Sequence, residues 1–318
     1  MDAFISRRIV LLGKTGSGKS GAGNVILGEE RFKVSTHPNS VTKDCQTEEG
    51  TAYGWNITVT DTPGIFDRGR SDEDLKYSII PCLIHCAPGP HAFILVLKVG
   101  RYTEEEEESV KMILQYFGNE ALKHTVVLFT HGDELEKNQT IKKFVEENKD
   151  LKELVDKCGG RVHVIDSKYW NKTEEEPGQG SGIPISTGRH AYESEYRSNN
   201  FQIKELLTTI ENMVKDSRGS YYTNESLMKI AEDIEIEMKK IIEEMEERGE
   251  KAEESEIRRQ ARERVKRKTL KLLAFEIGKR LLAGAGVFAI GLLMRAGPTG
   301  SIGIIGAIIA RFLAAFRI

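Results

Sequence analysis

One glycine-rich segment constrains this chain of 318 residues more than any other feature: Gly13–Ser20, with the sequence GKTGSGKS. The apolar run Arg7–Leu12 before it predicts a buried strand, and Gly21–Leu27 after it can open a helix. In this context the glycines let successive backbone N–H groups turn inward around a polyphosphate, and the helix adds its positive N-terminal end. The segment therefore predicts a phosphate-binding loop.

Two side chains of this loop have predicted roles of their own. We expect Lys19 to reach the β- and γ-phosphates of a nucleotide and the Ser20 hydroxyl to bind Mg²⁺. The other residues of the segment that we expect to contact the nucleotide are Gly13, Thr15, Gly16, Ser17, Gly18 and Gly21.

Strand and helix patterns alternate along the chain to about residue 216. Four further apolar runs are typical of strands covered on both faces of a parallel sheet: Ile57–Thr60, Ala92–Leu97, Val126–Phe129 and Val162–Ile165. Helical patterns follow Thr103, span Thr140–Lys157 and recur from Phe201 to Val214. We expect Thr103 to cap its helix and the glutamates after it to form a solvated first turn. The alternation predicts an α/β domain over residues 5–216, with a doubly wound, mostly parallel sheet.

The sequence DTPG follows the second of these strands, at residues 61–64. At the end of a strand, Asp61 can hold Mg²⁺ through water, and Gly64 can offer its N–H group to the γ-phosphate. The tetrapeptide alone is weak evidence. Its place after a phosphate loop makes it a strong signal for a nucleoside triphosphate site.

A base-recognition loop is predicted after the strand Val126–Phe129. The residues there read Thr130-His131-Gly132-Asp133, where proteins that bind guanine usually have [NT]-K-x-D. Asp133 can accept the ring N–H and the exocyclic amino group of guanine, a pairing that adenine does not offer, and His131 can stack on the base. We expect a second base-contacting loop at Asp166-Ser167.

The chain changes character after residue 217. The segment from Glu225 to Glu256 has 13 acidic and 5 basic residues, yet apolar residues recur in it at helical spacing. This pattern predicts a charged amphipathic helical extension over residues 217–270, which either docks on the nucleotide domain or pairs with another helix.

Residues 271–318 form a basic and apolar tail. Two apolar runs, Leu281–Met294 and Ile302–Phe316, flank Gly297-Pro298, and neither reaches the roughly 20 residues of a confident membrane span. With the lysines and arginines beside them, the runs are typical of a re-entrant or interfacial hairpin at an anionic membrane. The alternative is that both runs pack into a core or against a partner protein.

Charge and cysteine content narrow the function further. The net charge of −3 provides no global field for nucleic acid, so we expect no nucleic-acid partner. The four cysteines have no zinc-binding spacing, and no signal-peptide pattern precedes the first strand. We therefore expect reduced thiols and a cytoplasmic protein, associated with a membrane on its cytosolic face.

Several longer segments resemble one family. They are GAGNVILGEERF (21–32), SVTKDCQ (40–46), VTDTPGIFD (59–67), LVLKVGRYTEEE (95–106) and FTHGDEL (129–135). Over about residues 5–225, the chain is similar to the GTPases of immunity-associated proteins, called the GIMAP or IAN family. This family is related to the septins and to import GTPases of the chloroplast outer envelope.

The resemblance implies a P-loop GTPase fold that binds GTP and GDP with Mg²⁺. It also implies homodimers or oligomers that form through the nucleotide face, with related GTPases as further candidate partners, and a C-terminal membrane anchor. Thr42 is the candidate switch hydroxyl for Mg²⁺ and catalysis, with Ser40 as the near alternative. The family usually has asparagines where this chain has Asp166-Ser167, and the loop at 171–200 is longer than the family norm.

The expected hydrolysis of GTP is slow. Ile65 and Phe66 follow the DTPG segment, where Ras-type enzymes place a glutamine that orients the attacking water. The resemblance makes Arg101 a candidate catalytic residue that acts in trans across a dimer; the alternative is an arginine that pairs with the glutamates at 104–108. The competing functions are a GTPase switch, a GTP-dependent scaffold that does not hydrolyse, and an ATP-dependent enzyme, which Asp133 disfavours.

Overall fold

The computed structural model describes residues 5–34, 45–64, 72–170 and 195–284. Its strands are β1 (Ile5–Leu12), β2 (Gln46–Ala52), β3 (Trp55–Asp61), β4 (Ala92–Lys98), β5 (Thr125–Thr130) and β6 (Val162–Val164). They form one sheet in the order β2-β3-β1-β4-β5-β6, in which only the β2–β3 pair is antiparallel. The predicted doubly wound, mostly parallel sheet is confirmed.

The helices are α1 (Lys19–Leu27), α2 (Asp72–Cys86), α3 (Glu104–Phe117), α4 (Ile141–Glu146), α5 (Lys149–Lys157), α6 (Asn199–Asp216), α7 (Glu225–Arg248) and α8 (Glu254–Gly284). Short 3₁₀-helices cover Asn119–His124 and Gly132–Glu134. The chain divides into two compact units. The first takes in Met1–Arg70 and Pro90–Tyr222, and the second takes in Ser71–Gly89 and Thr223–Ile318, as far as these ranges are described.

The central strands form because their residues are apolar on both faces. Every residue of β5 is buried, and so is every residue of β4 except Lys98. In the first unit an aromatic cluster packs beside this sheet, with the ring of Phe93 4.9 Å from Phe117 and 5.1 Å from Tyr222. Burial of this kind stabilises the fold by roughly 25 cal/mol per Å² of apolar surface. The sheet therefore holds the loops at its edge in fixed positions.

Strand β2 is an element that the sequence pattern did not predict. Its residues, QTEEGTA, are mostly polar, and it lies at the edge of the sheet with only Ala52 fully buried. It pairs with β3 through a tight hairpin in which Tyr53 (φ 54°) and Gly54 (φ 80°) are both left-handed. Paired left-handed residues are typical of the two-residue turns that suit twisted hairpins.

The single helix predicted over Thr140–Lys157 is two helices, α4 and α5. The break lies at Asn148, whose side-chain oxygen accepts hydrogen bonds from the N–H groups of Asp150 and Leu151, both at 3.0 Å. Asparagine is a strong N-cap because its side chain satisfies donors at the start of a helix. The apolar spacing continued through the break and therefore concealed it.

The second unit is helical and consists of α2, α7 and α8 in its described part. Four residues of the predicted apolar stripe of α7 are buried, Ile230, Ile234, Met238 and Ile241, and the fifth, Met245, is half-buried; Leu227 is buried beside them. Helix α7 packs against α8 and also against α2. Charges along the α7–α8 seam pair across it: Arg264 binds Glu244 through two bonds of 2.6 and 2.7 Å, and Lys268 binds the buried carboxylate of Glu237. The acidic and basic halves of the extension thus neutralise one another.

Parts of the sequence-based predictions fall outside the described residues. These are Ser40 and Thr42, Ile65 and Phe66, the loop at 171–194, and the tail from residue 285. Within the ranges that are described, no helix combines the length and the apolar character that crossing a bilayer demands. The four cysteines, Cys45, Cys82, Cys86 and Cys158, are buried, and none of them forms a disulfide.

Candidate functional site

The predicted site residues gather at one edge of the sheet because the carboxyl ends of parallel strands meet there. Leu11 of β1 lies opposite Asp61 of β3, and Leu12 lies opposite Leu95 of β4. Further along, Lys98 of β4 lies opposite Thr130 of β5. The loops after β1, β3, β4, β5 and β6 therefore surround one place, which is where open α/β sheets bind ligands.

The loop after β1 has the backbone of a phosphate cradle. Gly13, Gly16 and Gly18 have φ values of 148°, 78° and 89°, which side chains other than glycine rarely adopt. A Cβ atom on Gly13 would lie 2.5 Å from the carbonyl oxygen of Val96, so the loop passes directly over β4. Thr15 and Ser17 lie in the same loop, and Ser17 is 1% exposed.

Lys19 closes this loop. Its Nζ atom donates to the carbonyl oxygens of Gly13 at 2.9 Å and Lys14 at 2.8 Å, and the residue is 7% exposed. A buried ammonium group needs such partners, because its desolvation is costly. The contacts place the charge over the cradle, from which it can exchange carbonyl oxygens for phosphate oxygens.

Ser20 and Asp61 meet beside the cradle. Ser20 Oγ donates to Asp61 Oδ2 at 2.6 Å, and Asp61 is fully buried at the end of β3. A hydroxyl and one carboxylate, completed by phosphates and water, are the hard oxygen ligands that suit Mg²⁺. Their contact makes Ser20 and Asp61 the candidate Mg²⁺ ligands.

Residues 62–64 continue from this pair. The hydroxyl of Thr62 donates to the carbonyl oxygen of Leu11 at 2.7 Å, which ties the DTPG turn to β1. Gly64 is buried at the end of the turn. The predicted residues Asp61 and Gly64 are therefore both next to the phosphate loop in the fold.

The predicted base loop is hydrogen-bonded to the phosphate loop. Thr130 Oγ1 donates to the carbonyl oxygen of Ser17 at 2.9 Å and contacts Nδ1 of His131 at 3.0 Å. His131 has a left-handed backbone (φ 59°), and Gly132–Glu134 then form a single 3₁₀ turn that presents Asp133. Gly18 lies so close that a Cβ atom on it would be 3.0 Å from Thr130.

The second base loop follows β6 and is held from both sides. The side chain of Asn199, at the start of α6, bonds the N–H of Asp166 at 3.0 Å and its carbonyl oxygen at 2.6 Å. The carboxylate of Asp166 accepts the N–H groups of Lys168 and Tyr169. Ser167 packs on α1, where a Cβ atom on Gly21 would lie 2.9 Å from its hydroxyl. Both base loops therefore contact the phosphate loop or the helix that follows it.

The acidic residues of the two base loops share a hydrogen bond. In this bond the carboxyl of Asp133 donates to the carboxylate of Asp166, and the bond, with burial and the negative charge of Asp166, raises the pKa of Asp133 to about 6. Burial alone would raise the pKa of Asp166, but the bond to Asp133 and the backbone N–H groups outweigh it, so that pKa is lowered. Burial and the charge of Lys98 lower the pKa of His131, which favours a neutral ring.

Arg101 lies at the same edge of the sheet, on the exposed connection between β4 and α3. The helix after it begins with a complete capping box, in which the N–H and hydroxyl of Thr103 donate to Glu106 Oε2 at 3.0 and 3.1 Å. Glu106 is buried, so the predicted solvated first turn is correct for its exposed neighbours Glu104 and Glu105 and wrong for this residue.

The sequence-based reasoning missed two further residues. Lys14 Nζ lies 3.6 Å from Glu106 Oε1, so it connects the phosphate loop to the start of α3. Trp170 packs against Gly132 of the base loop. The T-x-x-E spacing of Thr103 and Glu106 could have indicated the buried glutamate. No comparable local signal precedes Trp170.

The sheet order and this loop arrangement define a fold of the P-loop GTPase type. The family model described as AIG1 family matches residues 7–182, and the chain belongs to that family. The resemblance to immunity-associated GTPases that the sequence segments indicated is thereby confirmed.

Individual relatives agree with this assignment. The chain is 35% identical over 217 residues to human "GTPase IMAP family member 8", which covers 68% of this chain and 29% of that protein. It is 35% identical over 234 residues to "Immune-associated nucleotide-binding protein 4" of Arabidopsis thaliana, covering 72% of this chain and 64% of that protein. The chain thus spans less than two thirds of the length of either relative.

Among solved structures, the chain is similar to Toc33 from Arabidopsis thaliana in complex with GDP and Mg²⁺. The TM-score is 0.49 at 19% identity, over 69% of this chain and 88% of that chain.

Proposed function

We propose that this protein binds GTP and GDP with Mg²⁺ and hydrolyses GTP slowly, as a membrane-associated switch whose turnover rises on dimerisation. The observation that carries the proposal is the meeting of four predicted groups at one edge of the sheet: Lys19, Ser20 with Asp61, and Asp133. The first three suit a phosphate chain and its metal. The last suits guanine.

The groups at the phosphate end of the site have separate proposed roles. Backbone N–H groups of the loop surround the phosphates, and Lys19 neutralises their charge. Ser20 and Asp61 would hold Mg²⁺, which supplies charge neutralisation between the β- and γ-phosphates when it is bound. Thr42, outside the described residues, is the proposed switch hydroxyl that joins them.

The base end selects guanine over adenine. Ionised Asp133 accepts two N–H groups of guanine, whereas adenine presents no matching pair of donors. His131 covers the base, and Asp166 and Ser167 line the second base loop. The names of the relatives, which include "GTPase" and "nucleotide-binding protein", are consistent with this proposal.

Turnover by a single copy is expected to be slow, because the residues after the DTPG turn, Ile65 and Phe66, cannot orient a water molecule. A second copy that supplies Arg101 in trans would stabilise the transition-state charge, an effect worth about 10³–10⁵ in rate for an arginine finger. The exposure of Arg101 at the nucleotide edge supports this role. The sequence of the tail at 271–318 is the basis for proposing the membrane.

The experiment is GTP turnover per molecule of the full chain, measured against protein concentration. We expect specific activity to rise with concentration and Arg101→Ala to abolish the rise. Arg259→Ala is the matched control, since it removes another exposed positive charge, whose ion pair lies within α8. Negligible turnover at every concentration, with GTP still bound, would favour the alternative of a non-hydrolysing, GTP-dependent scaffold.

A further inference from the structure

The base loop contains a glycine whose neighbour is an aromatic ring. A Cβ atom on Gly132 would lie 2.5 Å from Cη2, 2.7 Å from Cζ2 and 3.0 Å from Cζ3 of Trp170. Such an atom has no room at these separations, because carbon atoms make their optimal contacts at about 3.5–4.0 Å. The six-membered part of the indole therefore occupies the space that a side chain at position 132 would need.

The backbone conformation does not itself require glycine at this position. Gly132 does not have a left-handed φ, whereas its neighbour His131 has a φ of 59°. The contact with Trp170 is therefore the observed reason for a glycine between the two residues that we assign to the base, His131 and Asp133.

Trp170 projects from a well-fixed segment. Asp166 accepts hydrogen bonds from the backbone N–H groups of Lys168, Tyr169 and Trp170, and Asn199 holds Asp166 in turn. The indole thus stands on a turn that is anchored to both β6 and α6.

The indole covers a loop whose central turn is short. The 3₁₀ turn Gly132–Glu134 is three residues long, and its N-terminal residue is tied to the second base loop by the bond from Gly132 N–H to the Ile165 carbonyl at 3.0 Å. The hydrogen bond between Asp133 and Asp166 is a second connection between the same two loops, and the indole is a third, one residue from Asp133. Guanine recognition needs the carboxylate of Asp133 to face two donors at once, so a small rotation of this turn loses one of them.

We propose that Trp170 is a positioning residue for guanine, because its ring on Gly132 sets the orientation in which Asp133 meets the base. This inference rests on the proposed function, since it assumes that Asp133 reads guanine. Trp170 acts through the loop and needs no contact with the nucleotide.

The test is the ratio of the dissociation constants for inosine diphosphate and GDP, measured by calorimetry with Mg²⁺ on the full chain. Inosine lacks the exocyclic amino group, so the ratio reports how well Asp133 engages guanine. Replacing a residue that only supports the fold would lower the affinity for both nucleotides by the same factor. We expect Trp170→Ala to reduce the wild-type preference for GDP by about three- to tenfold, the scale of one neutral hydrogen bond. We expect Trp170→Phe to retain most of it.

The control is Trp55→Phe, which changes the other tryptophan of the chain, on β3, and should leave the ratio unchanged. Gly132→Ala provides a second route if Trp170→Ala does not fold, because it keeps the ring and disturbs only the contact; it too should lower the preference. In the double variant Trp170→Ala/Gly132→Ala the two effects should not add, since both act on one contact.

The possible results separate this inference from the proposed function. An unchanged preference in folded Trp170→Ala, or in Gly132→Ala, overturns the role of Trp170 while guanine binding stands. A wild-type protein that binds inosine diphosphate as tightly as GDP overturns guanine recognition by Asp133, and the role of Trp170 with it.

Discussion

Ser20 Oγ lies 2.6 Å from Asp61 Oδ2, so a hydroxyl in the first turn of α1 and the carboxylate at the end of β3 already face the same point. Little rearrangement is needed for both to turn to one Mg²⁺ ion. Mg²⁺ should increase the affinity of wild type for GTP. We predict that this increase is at least tenfold smaller in Ser20→Ala, a difference of about 1.4 kcal/mol. The measurement is calorimetric titration with and without Mg²⁺.

Ser220→Ala is the control for this prediction, because Ser220 is exposed and its hydroxyl donates to the carbonyl of Ser217 in its own turn. Equal Mg²⁺ dependence in wild type and Ser20→Ala would remove Ser20 from the metal site.

Glu106 contacts two segments. It accepts a hydrogen bond from Thr103, in the connection between β4 and α3 that carries Arg101, and it pairs with Lys14 of the phosphate loop. Glu106→Ala breaks the capping box and the ion pair, and we predict a loss of about 1–2 kcal/mol in the free energy of unfolding. Glu106→Gln keeps a side chain that can complete the box, so its loss should be smaller. Urea unfolding measures both, and an equal loss for the two variants would contradict the account.

Nucleotide binding should depend on pH through Asp133. Its pKa of about 6 in the free protein means that the carboxyl is largely ionised at pH 7.5 and largely protonated at pH 5. A protonated carboxyl accepts fewer hydrogen bonds than an ionised one. Guanine therefore binds the ionised form of Asp133, and binding at low pH releases the proton of its carboxyl. GDP affinity should therefore fall about tenfold from pH 7.5 to pH 5.

Asp166→Asn is the matched variant, because an amide retains the oxygen that accepts the backbone N–H groups and can donate to Asp133. The pKa of Asp133 should then fall, and GDP affinity should change little down to pH 5. A wild-type affinity that is constant over this range would show that the two carboxyls are not coupled in solution.

Buried histidines should make the fold sensitive to acid. Burial lowers the pKa of His91 to about 3, with help from the charges of Arg8 and Arg7, and burial lowers that of His163 to about 4. The unfolded chain binds these protons near pH 6.5, so stability is full above that pH and is lost as the pH falls toward 4 and below. Thermal melts at pH 7.5 and pH 5 should show a Tm several degrees lower in acid.

His91→Asn tests the contribution of one group. His91 Nδ1 accepts the N–H of Arg8 at 2.9 Å, and the asparagine oxygen can replace that acceptor without titrating. The variant should lose less stability between the two pH values than wild type does. An identical loss would assign the acid sensitivity to other groups.

The fold was predictable from sequence where local pattern and burial agree. The apolar strands and the phosphate loop are of this kind, because strand, glycines and helix follow one another within a short segment. Strand β2 was not predictable, because a polar edge strand has little apolar signal. The break at Asn148 was hidden by apolar spacing that continues on both sides of it.

The site divides in the same way. Lys19, Ser20, Asp61 and Asp133 follow from motifs, and the fold brings their loops together. The ion pair of Lys14 with Glu106 and the packing of Trp170 on Gly132 join segments that are far apart in the chain. Contacts of this type depend on how strands are ordered in the sheet, which no local pattern specifies.

The most direct test of guanine recognition is the base preference of Asp133→Asn. An amide replaces one acceptor by a donor, which opposes the amino group of guanine and suits the carbonyl that xanthine has in its place. By calorimetry, wild type should bind GDP in preference to both ADP and xanthosine diphosphate. The variant should lose roughly 10–100-fold in GDP affinity and gain affinity for xanthosine diphosphate. Unchanged GDP binding by the variant, or equal binding of ADP and GDP by wild type, would contradict the account.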